Sequence, residues 1–124
     1  MTKVRYFRDL DAWQAAMDLA VAAHRLAAQL PAMHRFELGA QVRRAATSIP
    51  SNIAEGHAHG SDRVLLHHIR IALGSLAELD TQVELAARQG LVGIHDVAGL
   101  QEHVSRTGQL LNGLKRSLMP VMKN

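Results

Sequence analysis

At about 100° per residue, the apolar positions of the chain fall into four helical stretches. The first runs from about Asp9 to Leu30 and stops before Pro31, since a residue preceding proline disfavours helix. Its main stripe is Leu10, Trp13, Met17, Ala20 and His24. A second stripe, Leu19, Leu26 and Leu30, lies on another side with alanines between. Only Asp11, Gln14, Asp18, Arg25 and Gln29 form a polar face, so this helix is expected to be covered on two sides. His24, on the apolar stripe, reads as a core histidine with its hydrogen bonds satisfied.

The second stretch runs from Leu38 or Gly39 to about Gly56, with Leu38, Val42, Ala45, Ala46, Ile49 and Ile53 on its core face. The residues after it, His57 to Ser61, read as a loop in which Ser61 caps the next helix. The third stretch, Ser61 to about Arg88, buries Leu65, Ile69, Ala72, Leu73, Leu76, Leu79, Val83 and Ala86. Val64, Ile71 and Leu85 fall outside that stripe, and Gly90 is a natural terminator. In the fourth, from between Gly93 and Asp96 to about Leu118, the residues Val97, Leu100, Val104, Thr107, Leu111, Leu114 and Leu118 keep a heptad spacing. Gly99, Gly108 and Gly113 in its interior imply close approach of a neighbouring backbone. Three short connections then predict one all-α domain over residues 1–124, an up-down-up-down antiparallel four-helix bundle.

Pro50 interrupts the second helix. It has no N–H for the Ala46 carbonyl and its ring clashes with that group, which predicts a kink. Ser48, Ser51 and Asn52 are placed to hydrogen-bond backbone groups released by the kink. The same segment could instead be a recognition surface, because Arg44, Ser48, Ser51 and Glu55 form one polar ridge about 16 Å long. Glu55 and Glu78 are expected to be partly buried and paired with an arginine, Arg44 first among them.

Composition narrows the functional classes. The chain has 124 residues, 48% hydrophobic and 20% charged, with four aromatic side chains, a bias that suits helices packed on helices. It carries no cysteine, which removes disulfides and thiolate metal sites. The longest apolar runs fall short of the ~20 residues of a membrane span, and Asp9, Asp11, Asp18, His24 and Arg25 break up any signal-peptide core. A cytoplasmic location is expected.

Net charge is +3, so any nucleic-acid contact depends on how the basic residues are distributed. Arg43, Arg44, Arg63 and Arg70 are the candidate binding residues, with His67, Arg88, Lys3, Arg5, Arg8, Lys115 and Arg116 as further positive positions. With so few aromatic side chains, contacts would favour phosphates over bases. His57, His59, His67 and His68 cluster in sequence, but without an HExxH spacing they read as solvated. No nucleophile and base, phosphate loop or carboxylate dyad has a recognisable setting. The expectation is therefore a protein that is not an enzyme, with no metal and no cofactor.

The segments QVRRAATSIPSNIAEG, at 41–56, and IALGSLAELDTQVELA, at 71–86, resemble the paired signature of four-helix-bundle proteins encoded in intervening sequences of bacterial 23S ribosomal RNA genes. FRDLDAWQAAMDLA also looks like that family's first helix, so the resemblance spans about Phe7 to Leu118. Carried over residue by residue, the motif positions are Arg43, Arg44, Ser48, Pro50, Asn52, Glu55, Gly74, Ser75 and Glu78. The resemblance implies a homo-oligomer, typically a pentamer, and kinship with accessory proteins of diversity-generating retroelements. Those proteins work beside a reverse transcriptase and nucleic acid. The implied partners are a second copy of the chain, RNA or DNA held through phosphates, and a reverse transcriptase or another protein. The alternative is a protein-interaction scaffold that binds no nucleic acid.

Overall fold

The computed structural model describes residues 6–123, with side chains described through 119. Lys3 and Arg5 therefore lie outside the described residues. A 3-10 turn at Phe7–Asp9 leads into α1 (Asp11–Gln29), followed by a short α2 (Ala32–Arg35), α3 (Leu38–Ala58), α4 (Asp62–Arg88) and α5 (Ile94–Lys123). The described residues contain no strand. The four long helices touch in a cycle: α1 packs on α3 and α5, and α4 packs on the same two. This leaves α1 and α4 at diagonal corners. No helix among the described residues is long and apolar enough to cross a membrane.

Helix ends follow local chemistry. The Ser61 hydroxyl accepts from the Val64 amide at 3.4 Å, capping α4 as its spacing predicted. At its other end Gly90 adopts φ +72°, and the amides of Gly90 and Leu91 bond to the Ala87 and Ala86 carbonyls, a Schellman pattern. The predicted loop at 57–61 is shorter than expected, because α3 continues through Ala58. Gly56 lies inside the helix, packed against α4, and the left-handed glycine that ends the turn is Gly60, with φ +74°. α5 likewise continues to Lys123, past the expected end near Leu118. The chain between α1 and α3, expected to be a plain connection, holds the four-residue α2.

The core stripes of α3, α4 and α5 lie where the periodicity placed them. Val42, Ile49, Ile53, Ile69, Leu79 and Leu111 are fully buried, although Leu73, Val97, Val104 and Leu114 are only partly so. In α1 the two stripes exchange roles. Its core side is the alanine-rich one, Ala12, Ala16, Leu19, Ala23, Leu26, Ala27 and Leu30. The expected main stripe is only half covered: Leu10, Trp13 and Ala20 pack partly buried against the core, while Met17 is 37% exposed and His24 is exposed. Alanine brings α1 closer to its neighbours than bulkier side chains would, so the small residues win the interior. Of the three α5 glycines, only Gly108 meets a close neighbour, a methyl of Leu76 that would stand 3.3 Å from an added Cβ. Gly99 faces open space.

Candidate functional site

The motif residues of α3 and α4 assemble into one polar chain between the two helices. Ser48 and Asn52 are four residues apart on α3, so they share its α4-facing edge. Ser48 Oγ lies 2.9 Å from Ser75 Oγ of α4. The Asn52 amide nitrogen donates to the Ser48 carbonyl at 2.8 Å and to Ser48 Oγ at 3.0 Å. Its oxygen then faces His68 Nδ1 at 2.9 Å. A carbonyl oxygen only accepts, so the Ser48 backbone fixes which way Asn52 points, and Asn52 in turn requires a proton on His68 Nδ1. Glu55 Oε2 stands 3.9 Å from the same nitrogen.

Gly56 makes this approach possible. A Cβ added there would lie 2.7 Å from His68 Cβ and 3.2 Å from the Leu65 Cα. The signature residues Ser48, Asn52, Gly56 and Ser75 are thus a device for joining two helices at short range. None of the described side-chain bonds of Ser48, Ser51 or Asn52 reaches the Ala46 carbonyl that Pro50 leaves without its donor, contrary to expectation. The predicted ridge divides as well: Ser48 turns to α4, and Ser51 lines a groove on the α1 side.

The acidic expectations are corrected. Glu55 and Glu78 are both exposed; among the described residues Glu55 lies beside the His68 ring, and Glu84 forms an ion pair with Arg88. Arg44 pairs with neither glutamate. A long side chain on an outward helix face keeps more hydration than a single buried partner could replace. The candidate binding arginines are not brought into one cluster. Arg43 is half-buried and its guanidinium donates to the Arg35 carbonyl at 3.5 Å, closing the end of α2. Arg44, Arg63 and Arg70 are exposed. Because Asn52 meets His68, Arg70 lies near the level of Asn52, and Arg44 sits eight residues away along α3, about 12 Å.

The histidines also regroup. One ligand atom each from Glu55, His59 and His68 lies within 4.8 Å of the other two. The rings of His59 and His68 stack with centroids 6.1 Å apart. The sequence pattern groups the two histidines with His57 and His67 and assigns Glu55 an arginine partner instead, because it ends α3 two residues short. With α3 intact through Ala58, Glu55 and His59 are an i, i+4 pair, and that spacing was the available signal.

On its opposite edge α3 borders a groove of about 730 Å³ shared with α1. Trp13, Met17, Ala20, Val21 and Ala28 line it from α1, and Thr47, Pro50, Ser51 and Ala54 line it from α3. His24 is bonded to Thr47 Oγ1 at 3.0 Å. It is satisfied, as expected, but at the groove and not in the core. The Arg8 guanidinium covers one end, 5.5 Å from the Trp13 ring centroid. No carboxylate is among the described residues of this lining.

Comparison with known proteins agrees with this architecture. Residues 8–113 match the family described as 23S rRNA-intervening sequence protein. A solved structure from Bacteroides thetaiotaomicron, a protein of unknown function from the S23 ribosomal protein family, superposes with a TM-score of 0.78 at 22% identity. The match covers 84% of this chain and 97% of that one, and it shows a shared fold. No curated protein matches the sequence.

Proposed function

Since the chain belongs to the 23S rRNA-intervening sequence protein family, we propose that it works by assembling with copies of itself, as an antiparallel up-down-up-down bundle bent at Pro50, and not by catalysis. The observation that carries this reading is an outward line on α4. Ile71, Gly74, Glu78 and Leu85 fall within an arc of about 60°, and Ile71 and Leu85 are 40% and 50% exposed. Gly74 is exposed, with nothing near the place its Cβ would take. A glycine inside a helix costs about 1 kcal/mol relative to alanine, and no contact within the chain offsets that cost here. A neighbouring copy seated on the line would. The α1–α3 groove, with Val21 48% exposed, offers a second and separate apolar surface. Two different patches on diagonal helices favour head-to-tail contacts, which close into rings when the rotation allows. A ring of five follows from the family resemblance. Light scattering should give a multiple of 13.6 kDa. Ile71→Glu, Leu85→Glu and Val21→Glu should each return the mass to one chain, and a parent protein already at that mass refutes the reading.

A second reading adds RNA to the assembly. Arg44, Arg63 and Arg70 are exposed and make no side-chain hydrogen bond or ion pair among the described residues. Repeated around a ring they become bands of charge suited to phosphates, and the avidity grows with the number of copies. A reverse transcriptase partner, implied by resemblance, would meet nucleic acid on the same surface, in the cytoplasm. Fluorescence anisotropy of single-stranded RNA and duplex DNA should show binding at ~50 mM salt that weakens steeply as salt rises. Arg63→Ala/Arg70→Ala should abolish it. If the parent protein does not bind at low salt, the scaffold without nucleic acid is the better account.

A further inference from the structure

The polar chain ends at a set of groups that self-assembly leaves unused. Glu55 projects from the last turn of α3 and His59 from the residue that caps its end, His68 meets them from α4, and a ligand atom of each lies within 4.8 Å of the others. We infer that Glu55, His59 and His68 bind a late first-row divalent cation of the Zn2+ class, joining α3 to α4.

Three features carry the inference, and none depends on the oligomer. The donor set is two imidazoles and one carboxylate, which suits Zn2+ and its neighbours, whereas Mg2+ and Ca2+ favour oxygen ligands alone. Three protein ligands leave a fourth position for water or a partner's side chain. Next, the outer shell is already in place. Asn52 accepts the Nδ1 proton of His68, which leaves the lone pair on Nε2, and a metal-bound imidazole ordinarily donates its other N–H in this way. Glu55 Oε2 now stands 3.9 Å from Nδ1, so its carboxylate must turn toward the Nε2 edge of the ring to share an ion. Asn52 is itself held by Ser48, so the ring orientation is set before any ion arrives. Finally, the freedom to close lies on the appropriate side chains. Tetrahedral ligands about 2.1 Å from an ion are about 3.4 Å apart, closer than the present limit of 4.8 Å. The Glu55 side chain is 62% exposed and His59 is exposed, so both can rotate inward. The His68 side chain is 13% exposed and supplies the fixed point.

The test uses the full chain stripped with chelator and titrated calorimetrically with Zn2+ alone. One ion per chain is expected, with micromolar or tighter affinity, and a melting temperature raised by several degrees in Zn2+ but not in Mg2+. Glu55→Gln and His59→Ala should each weaken binding at least tenfold while keeping the parent's circular dichroism, because both residues stand at the exposed end of the polar chain. His57→Ala and His67→Ala should bind like the parent. Co2+ should give the visible absorption of a site with few ligands. Affinity should fall as pH falls, since protons compete for the same atoms. Failure to bind Zn2+, undiminished affinity in Glu55→Gln or His59→Ala, or an equal loss in His57→Ala and His67→Ala would overturn the assignment. The last result would mean adventitious capture by a histidine-rich segment.

Discussion

Along its α4 edge, α3 meets its neighbour through Ser48, Asn52 and Gly56, with hydrogen bonds of 2.8 to 3.0 Å and no room for a side chain at position 56. Along its α1 edge the same helix presents Thr47, Pro50, Ser51 and Ala54 to an open apolar groove. One edge is specified by directional bonds and tolerates little change. The other is specified by shape and apolar area, and it remains available to a partner. The difference separates two kinds of signature residue: those that determine how the chain folds and those that determine what the folded chain meets.

If the closed edge is as demanding as its geometry, Gly56→Ala should cost about 1 to 3 kcal/mol, the range for an overpacked contact. This holds although alanine is favoured over glycine in a helix by about 1 kcal/mol. Thermal melting is the measurement, and a variant more stable than the parent would show that α3 and α4 can separate freely. Asn52→Ala should cost about 1 to 2 kcal/mol, because the half-buried groups at Ser48 and His68 lose their partner together. Denaturant titration with an unchanged m-value would identify this as lost stability. Gly74→Ala divides the two roles most sharply. In a single chain it should stabilise by up to about 1 kcal/mol, whereas in an assembly it should reduce the mass seen by light scattering. On the open edge, Met17→Ser and Val21→Ser should move stability by no more than about 0.5 kcal/mol, as surface changes do. Their effect should fall on assembly instead, and a large loss of stability in either would mean that the groove belongs to the core.

Much of this was legible in the sequence. Long helices repeat their apolar positions many times, so the stripes of α3, α4 and α5 averaged out local ambiguity, and Ser61 and Gly90 marked the two ends of α4 by chemistry that depends on neighbours in sequence alone. The exchange of stripes in α1 was not legible. Trp13 and Met17 carry far more apolar area than Ala16 and Ala23, yet burial rewards fit at close range as well as area, and alanine fits where helices approach closely. The site was hidden for a related reason. Gly56 reads as a helix terminator when its surroundings are unknown, and only contact with His68 reveals it as an interior residue. Once it is interior, His59 comes into register with Glu55. Pairing between exposed residues on different helices leaves no period in the sequence, so the partner of Glu55 could not be read there.

The three-residue turn between α3 and α4 has a consequence for the time course of folding. The helices that share the polar chain are also neighbours in sequence, so the loop that must close to bring Asn52 to His68 spans 16 residues, while α1 and α5 must find each other across most of the chain. Closure entropy rises with loop length and non-local contacts slow folding, which makes the α3–α4 hairpin the natural nucleus and α1 the late arrival. Asn52→Ala should accordingly slow refolding, whereas Leu19→Ala should mainly hasten unfolding. Stopped-flow kinetics giving the reverse partition would place the nucleus at the chain's two ends instead.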